Sequence, residues 1–216
     1  MSDQTAQLEW RDGTIPVSTR FDDPYFSLAG GLDETRHVFL AGNDLPNRYR
    51  DGFHIAELGF GTGLSMLTAL QAFQGNGTLH FTSFEAYPMA RADIESALKA
   101  FPDLDPSPLL DHWPATTIRT DRLHADIIIG DARETLPNWT GKADAWFLDG
   151  FSPAKNPELW SPELMLEVGT HTAPKGTFAT YTAAGHVRRS LTDAGFDVKR
   201  VQGFGRKRHM SVGRLR

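Results

Sequence analysis

The 216-residue chain contains no cysteine. Disulfides, thiolate nucleophiles and cysteine-ligated metal centres are therefore excluded. No apolar run approaches the roughly 18 residues that a membrane span needs. The stretch from Met1 to Arg11 is polar and lacks the apolar core of a signal peptide. A cytoplasmic protein without membrane association is expected. The eight histidines (His37, His54, His80, His112, His124, His171, His186 and His209) are scattered without ligand spacing, so no metal is expected. No Ser-His-Asp arrangement is readable, and there is no internal repeat or low-complexity tract.

What is present fits one α/β domain with a full core: 40% hydrophobic residues and a net charge of −5. The charge is unevenly placed. From His186 to Arg216 there are nine Lys/Arg against Asp193 and Asp197, a balance of +7, which leaves −12 on residues 1–185. An acidic body with a basic C-terminal end could hold a polyanion on one face. A solvated surface on terminal strands would show the same charge.

Residues 1–50 are rich in turn formers (Asp12-Gly13, Asp22-Asp23-Pro24, Gly30-Gly31, Gly42-Asn43) and read as an N-terminal extension of short strands and loops packed on the domain formed by residues 51–216. From Phe53 onward strands and helices alternate. Residues 53–58 form a strand that enters a glycine loop, and Leu64, Leu67 and Leu70 then share a helix face. Residues 78–85 form the next strand. Pro88 suits the first turn of a helix carrying Ile94, Leu98 and Phe101. Residues 102–114 hold four prolines and read as loop. Residues 116–120 and 123–129 suggest a hairpin whose second arm joins the sheet, and 143–148 form a further strand. Ser161-Pro162-Glu163 caps a helix reaching about Thr172. A strand over 176–182, a helix over 185–194 closed by Gly195, and an antiparallel pair over 196–201 and 208–213 complete the chain. The pattern predicts a mostly parallel sheet with helices on both faces and ligands at the carboxyl ends of its strands.

The residues that could do chemistry lie at those ends. Glu57-Leu58-Gly59-Phe60-Gly61-Thr62-Gly63 places a G-x-G-x-G turn between strand and helix. Glycines allow close approach of a ligand and positive φ. Alone, the loop suits a dinucleotide, S-adenosylmethionine or a tight turn. Two details favour the methyl donor. The spacing is not the G-x-G-x-x-G expected for pyrophosphate, and Glu57 would repel pyrophosphate but could face the ammonium of a methionine moiety. Glu85 ends the second strand, where a carboxylate can accept both ribose hydroxyls, as it also would for NAD. Asp131, followed by Ala132, could accept from an adenine amino group. Asp149 follows the next strand, where it could hold an amine in line with a sulfonium methyl. Phe151 offers a ring to a base or a cation. Lys155 and Asn156 in the same loop could touch phosphate or the target.

These stretches resemble a known family, the methyltransferases that complete 5-methylaminomethyl-2-thiouridine at the tRNA wobble position (the MnmC methyltransferase domain and stand-alone MnmD-like proteins). Similar segments are FDDPYFS (21–27), GLDETRHVFLAGN (31–43), ELGFGTGL (57–64), WFLDGFSPAKNPELW (146–160), GTFATYTAAGHVRR (176–189) and GFGRKRHM (203–210). The resemblance implies a class I, Rossmann-like fold with a mostly parallel seven-stranded sheet. It implies S-adenosylmethionine as donor and an aminomethyl uridine in tRNA as acceptor. It places Asp149 at the methyl-transfer centre and Tyr25 and Phe26 at the site. Arg188, Arg189, Arg206, Lys207 and Arg208 then become candidate phosphate contacts. There is no second glycine fingerprint for FAD, so no oxidase half is expected in this chain. Ser65 stands where Asn is expected after the glycine loop, and Tyr181 where Phe is expected. An ordinary carboxylate pKa near ~4 would let Asp149 bind and orient an amine but make it a poor general base. Transfer to another amine, in a small molecule or a protein, is the alternative, and an NAD-dependent oxidoreductase on the same fold is a more distant one.

Overall fold

The computed structural model describes residues 5–27, 30–74 and 76–216. Met1–Gln4 and Leu28-Ala29, which the N-terminal expectation covers, lie outside the described residues.

The chain opens with a small antiparallel sheet of β1 (Leu8–Arg11), β2 (Ile15–Ser18) and β3 (Asp23–Pro24). Helix α1 (Gly31–Thr35) follows and runs through a π-turn at Arg36–Leu40 into a 3₁₀ turn at Ala41–Asn43. This helical run corrects the expectation of strands and loops up to residue 50. Gly42 was the misleading signal. A Cβ there would lie 2.8 Å from Ala179 Cβ and 3.0 Å from Met210 Cε, so the glycine serves close packing rather than a turn.

The main sheet contains β4 (His54–Leu58), β5 (Leu79–Glu85), β6 (Thr117–Arg119), β7 (Leu123–Ile129), β8 (Ala143–Leu148), β9 (Thr172–Thr180), β10 (Phe196–Gln202) and β11 (His209–Leu215). Their order is β10-β11-β9-β8-β4-β5-β7-β6. The central pairs are parallel; β11 is antiparallel to both β9 and β10, and β6 is antiparallel to β7. The sheet has eight strands rather than seven because the first hairpin arm, β6, also joins it. Around the strands lie α2 (Leu64–Ala72), α3 (Arg91–Leu98), α4 (Ser107–Leu110), α5 (Ala132–Thr135), α6 (Pro162–Thr170) and α7 (Gly185–Asp193).

Both sheet faces are apolar, as buried parallel strands require. Ile55, Phe81, Ala145 and Phe147 face one core with Met66, Ile94 and Val38, while Ala56, Leu58, Trp146 and Leu148 face the other with Leu164, Val168 and Val187. The Ser161 hydroxyl accepts from Leu164 N at 3.3 Å and starts α6 as its sequence predicts. Pro88 does not start α3, which begins three residues later at Arg91. The proline-rich segment folds around α4 and buries Leu104, Leu109 and Trp113.

A buried polar knot ties the N-terminal helical run to the sheet. Asn43, fully buried, donates through Nδ2 to Phe39 O (3.0 Å) and Trp146 O (3.3 Å), and accepts from the Thr177 hydroxyl (2.6 Å). Arg48 donates to Asn43 O and Asp144 O, both at 2.9 Å, beside the register shift between β8 and β9. Removing Asn43 would delete three buried hydrogen bonds at once and leave the Thr177 hydroxyl proton without its acceptor in the interior. Asn43→Ala is expected to lower the unfolding free energy by about 2–3 kcal/mol in urea titrations; a loss under ~0.5 kcal/mol would contradict the role given to this knot.

Candidate active site

The sheet reverses direction of growth at β4, whose neighbours β5 and β8 are reached by separate crossovers. A crevice opens at the carboxyl ends of these strands. Gly59 leaves β4 at φ +89°, and a Cβ on it would lie 2.2 Å from the carbonyl oxygen of Asp149. Only glycine permits that approach, so the loops after β4 and β8 touch. Above them lies a cavity of ≈ 1350 Å³, walled by the glycine loop, the ends of β5, β7 and β8, the N-terminal strands, α1 and the β10–β11 turn.

The predicted residues fall into distinct groups. Gly59, Phe60, Gly61, Thr62, Glu85, Asp131, Ala132, Asp149, Tyr25, Phe26, Phe151, Lys155, Asn156, Arg206 and Lys207 line this cavity. Gly63 instead packs against Leu109 and Phe60. Glu57 lies just beneath the cavity wall and is buried. Arg188, Arg189 and Arg208 lie outside the cavity, on α7 and at the end of the β10–β11 turn. Desolvation first, and then Arg200, Arg208 and Arg188, hold the His209 pKa down, which places these three arginines in one basic cluster.

The carboxylates define the electrostatics. Glu85 Oε2 accepts from Gly61 N at 3.0 Å and Oε1 from Tyr87 N at 2.7 Å. Burial nevertheless raises its pKa, with those backbone donors opposing the shift. Glu57 Oε2 accepts from the Ser83 hydroxyl at 2.8 Å, while Oε1 is buried with no partner. Burial first, and then the charge of Asp149, pushes the Glu57 pKa well up. Asp149 rises from 3.8 to about 7, mainly through burial; Lys207 lowers it and Glu34 raises it. The ordinary carboxylate pKa expected for Asp149 therefore does not hold, and with it falls the objection to a proton-accepting role. Asp131 behaves oppositely: Arg133 grips both its oxygens at 2.6–3.1 Å and lowers its pKa. It also caps α5 through Arg133 N, so it is a paired cap on the cavity wall.

Several neighbours carried no individual signal in the sequence reading. Phe21 stacks on Phe151 at 4.8 Å, and Tyr25 meets Phe151 edge-on at 5.0 Å. Arg20 lies 4.6 Å above the Tyr87 ring. Lys155 is held by Asp22 at 2.9 Å and is not a free phosphate ligand in this state. Glu34, on the misread helix, pairs with Lys207. The two departures from the family pattern both sit beside Asp149. The Ser65 hydroxyl is 3.4 Å from Asp149 Oδ2, and the Tyr181 hydroxyl donates to Gly150 O at 2.6 Å.

These residues fit S-adenosylmethionine on chemical grounds. Three carboxylates with raised pKa values surround a glycine loop; Glu57 and Glu85 are buried and Asp149 partly so, and Glu57 bears an unpartnered oxygen. A ligand with a sulfonium and an ammonium relieves that arrangement, whereas a pyrophosphate would worsen it.

Comparison with known proteins agrees. Residues 106–216 match the family model described as S-adenosyl-L-methionine-dependent methyltransferase, and the chain belongs to that family. It is 45% identical over 232 aligned residues to the tRNA 5-methylaminomethyl-2-thiouridine biosynthesis bifunctional protein MnmC of Pseudomonas paraeruginosa, covering 99% of this chain and 36% of that protein. The corresponding protein of Chromobacterium violaceum is 43% identical, with 99% and 35% covered. The chain thus spans about a third of the length of these relatives. A crystal structure of MNMC2 from Aquifex aeolicus superposes with a TM-score of 0.76 at 26% identity, over 100% of this chain and 72% of that one. The family assignment displaces the NAD-dependent reading. Among the described residues no group of side chains is placed to hold a metal, and no helix is long and apolar enough to cross a membrane.

The raised pKa of Asp149 has a consequence for stability. The folded state holds this proton more tightly than the unfolded chain, so stability falls as pH rises from about 3.8 to about 7 and the loss persists above. Asp149→Asn removes the buried charge. The variant is expected to match the wild type near pH 4 and to exceed it by about 2 kcal/mol at pH 8, allowing for solvent at the cavity wall. Thermal melts across this range check it, and a pH-independent difference would contradict the assignment.

Proposed function

We propose that this chain transfers a methyl group from S-adenosylmethionine to the 5-aminomethyl nitrogen of (2-thio)uridine at the tRNA wobble position. The observation that carries this reading is Asp149, a partly buried carboxylate at the switch point with a pKa near 7, in a chain 45% identical to tRNA 5-methylaminomethyl-2-thiouridine biosynthesis proteins. The cavity exceeds the 300–1,000 Å³ common for one small ligand, leaving room for an acceptor beside the donor.

Bound S-adenosylmethionine supplies an electrophilic methyl group. Gly59 and Gly61 give the backbone close approach, Glu85 offers acceptors for ribose hydroxyls, and Glu57 Oε1 awaits an ammonium. An alkyl ammonium has a pKa near ~10.4, so about one in ~2,500 is neutral at pH 7. The nitrogen must lose a proton before its lone pair can attack. An ordinary carboxylate lies ~6.5 units below that ammonium, a gap of about 9 kcal/mol. At a pKa near 7, Asp149 narrows the gap to ~3.4 units, or about 4.6 kcal/mol. Asp149 thus orients the ammonium and takes its proton on a carboxylate oxygen, with the Ser65 hydroxyl in reach of Oδ2. Phe151, stacked on Phe21, provides an apolar wall that disfavours the charged amine and gives a base a ring to rest on.

Nucleoside analysis of tRNA bearing 5-aminomethyl-2-thiouridine, incubated with protein and donor, should show conversion to the methylaminomethyl form. Asp149→Ala should lower kcat/KM by at least ~100-fold. Absence of conversion by the wild type sinks this function, and full turnover by Asp149→Ala sinks the role of that residue.

The basic cluster and the rim residues Arg206 and Lys207 support a phosphate-binding face continuous with the cavity mouth. Binding of tRNA should weaken steeply with salt, and Arg188→Ala or Arg208→Ala should each reduce the log–log slope by roughly one unit. Unchanged slopes in filter-binding titrations would remove these arginines from the interface.

A further inference from the structure

The cavity contains a cation of the chain's own. Lys207, from the β10–β11 turn, places its ammonium 2.7 Å from Glu34 Oε1 and 4.3 Å from the centre of the Tyr181 ring. The Tyr181 hydroxyl bonds the carbonyl of Gly150, the residue after Asp149. Lys207 and Glu34 are also the two charges that act most on Asp149, with opposite signs. All four side chains line the same cavity. One primary ammonium thus sits against a carboxylate and an aromatic face, within electrostatic reach of a second carboxylate. These are the elements that recognise an ammonium group.

The two partners of the ion pair differ in freedom. The Glu34 side chain is 12% exposed and sits on α1, whereas Lys207 is 47% exposed on a turn where Gly205 has φ +56° and open space around it. The carboxylate is the fixed element and the lysine the movable one. A lysine ends in CH₂–NH₃⁺, the group that an aminomethyl substituent also presents.

Resting on the reading above, we propose that Glu34, Asp149 and the Tyr181 ring form the subsite for the acceptor's primary ammonium, and that Lys207 fills this subsite in the free protein and leaves it when the acceptor enters. The exchange swaps one cation for another, so Glu34, little exposed on the cavity wall, is never left unpaired. A neutral 5-substituent cannot replace the lysine, and an anionic one is repelled, which selects an amine. The released Lys207 emerges beside Arg206 and Arg208, where a backbone phosphate can take its charge.

The experiment has two arms on the full chain. In the first, propylammonium chloride is titrated against matched sodium chloride and followed by amide NMR. Lys207→Met should give saturable shifts around Glu34 and Tyr181 at a Kd at least about fivefold below wild type, and Glu34→Gln in that background should abolish them. In the second, methyl transfer to aminomethyl tRNA is measured with donor affinity as a control for folding. Glu34→Gln should raise KM about tenfold or more with unchanged donor affinity, and Glu34→Asp should recover most of the loss. An unchanged KM in Glu34→Gln, or propylammonium shifts no tighter in Lys207→Met, overturns the proposal. If wild type fails on aminomethyl tRNA while Lys207→Met binds propylammonium through Glu34, the substrate reading falls and the ammonium subsite stands for a different amine.

Discussion

The contact between Gly59 and the backbone of Asp149 is the constraint on which the site depends. It joins β4 to β8, the neighbouring strands at the switch point, so the loops after them lie in contact with no room for a side chain between them. With that junction fixed, Glu57 ends under the loop, Asp149 beside it, and Glu85 one strand over, hydrogen-bonded to Gly61. The sheet is apolar on both faces, so these carboxylates have little water to share. Their raised pKa values are therefore a product of topology as much as of sequence.

The parallel core was legible because its signals are local. The short, largely apolar runs HIAEL and ADAWFL, the cap at Ser161 and the glycine after α7 each act within a few residues, and the structure follows them. The strand-end placement of Glu57, Glu85, Asp131 and Asp149 was legible for the same reason. What the sequence hid was set by tertiary packing. Gly42 read as a turn because the β9 surface it must clear is more than a hundred residues away. The Arg133 clamp on Asp131 was hidden because it depends on side-chain conformation, which the spacing alone does not give. The hairpin over 116–129 was legible, but the seven strands implied by the family resemblance left its three-residue first arm, β6, out of the sheet count.

The N-terminal segment is where sequence reasoning lost most. A short helix with glycines at both ends gives weak periodicity, yet its π-turn and 3₁₀ continuation bury Val38, Phe39 and Leu40 and position Asn43. That helix also carries Glu34 to the cavity. The preceding strands bring Phe21 and Tyr25 to Phe151, and Asp23 accepts from Ser152 N at 2.8 Å. The segment thus acts as one wall of the site, fastened to the β8 loop by Asp22 and Asp23. Its residues choose what can lie beside Asp149, while the sheet supplies what holds a cofactor.

An acidic cavity built this way must be neutralised before its ligands arrive. The chain uses two devices: protonation, which the upward shifts of Glu57 and Asp149 express, and an internal cation, Lys207 on Glu34. Both are reversible. A cationic ligand displaces the proton or the lysine and takes over the field each was holding, so its binding energy is reduced by the strength of what it replaces. That cost is selective. A neutral ligand gains nothing from the carboxylates and must leave the proton and the lysine in place, whereas a cation converts each of them into a favourable contact. The same burial that weakens the ionised state of Asp149 therefore sharpens the preference for positive charge and keeps the group ready to accept a proton near neutral pH.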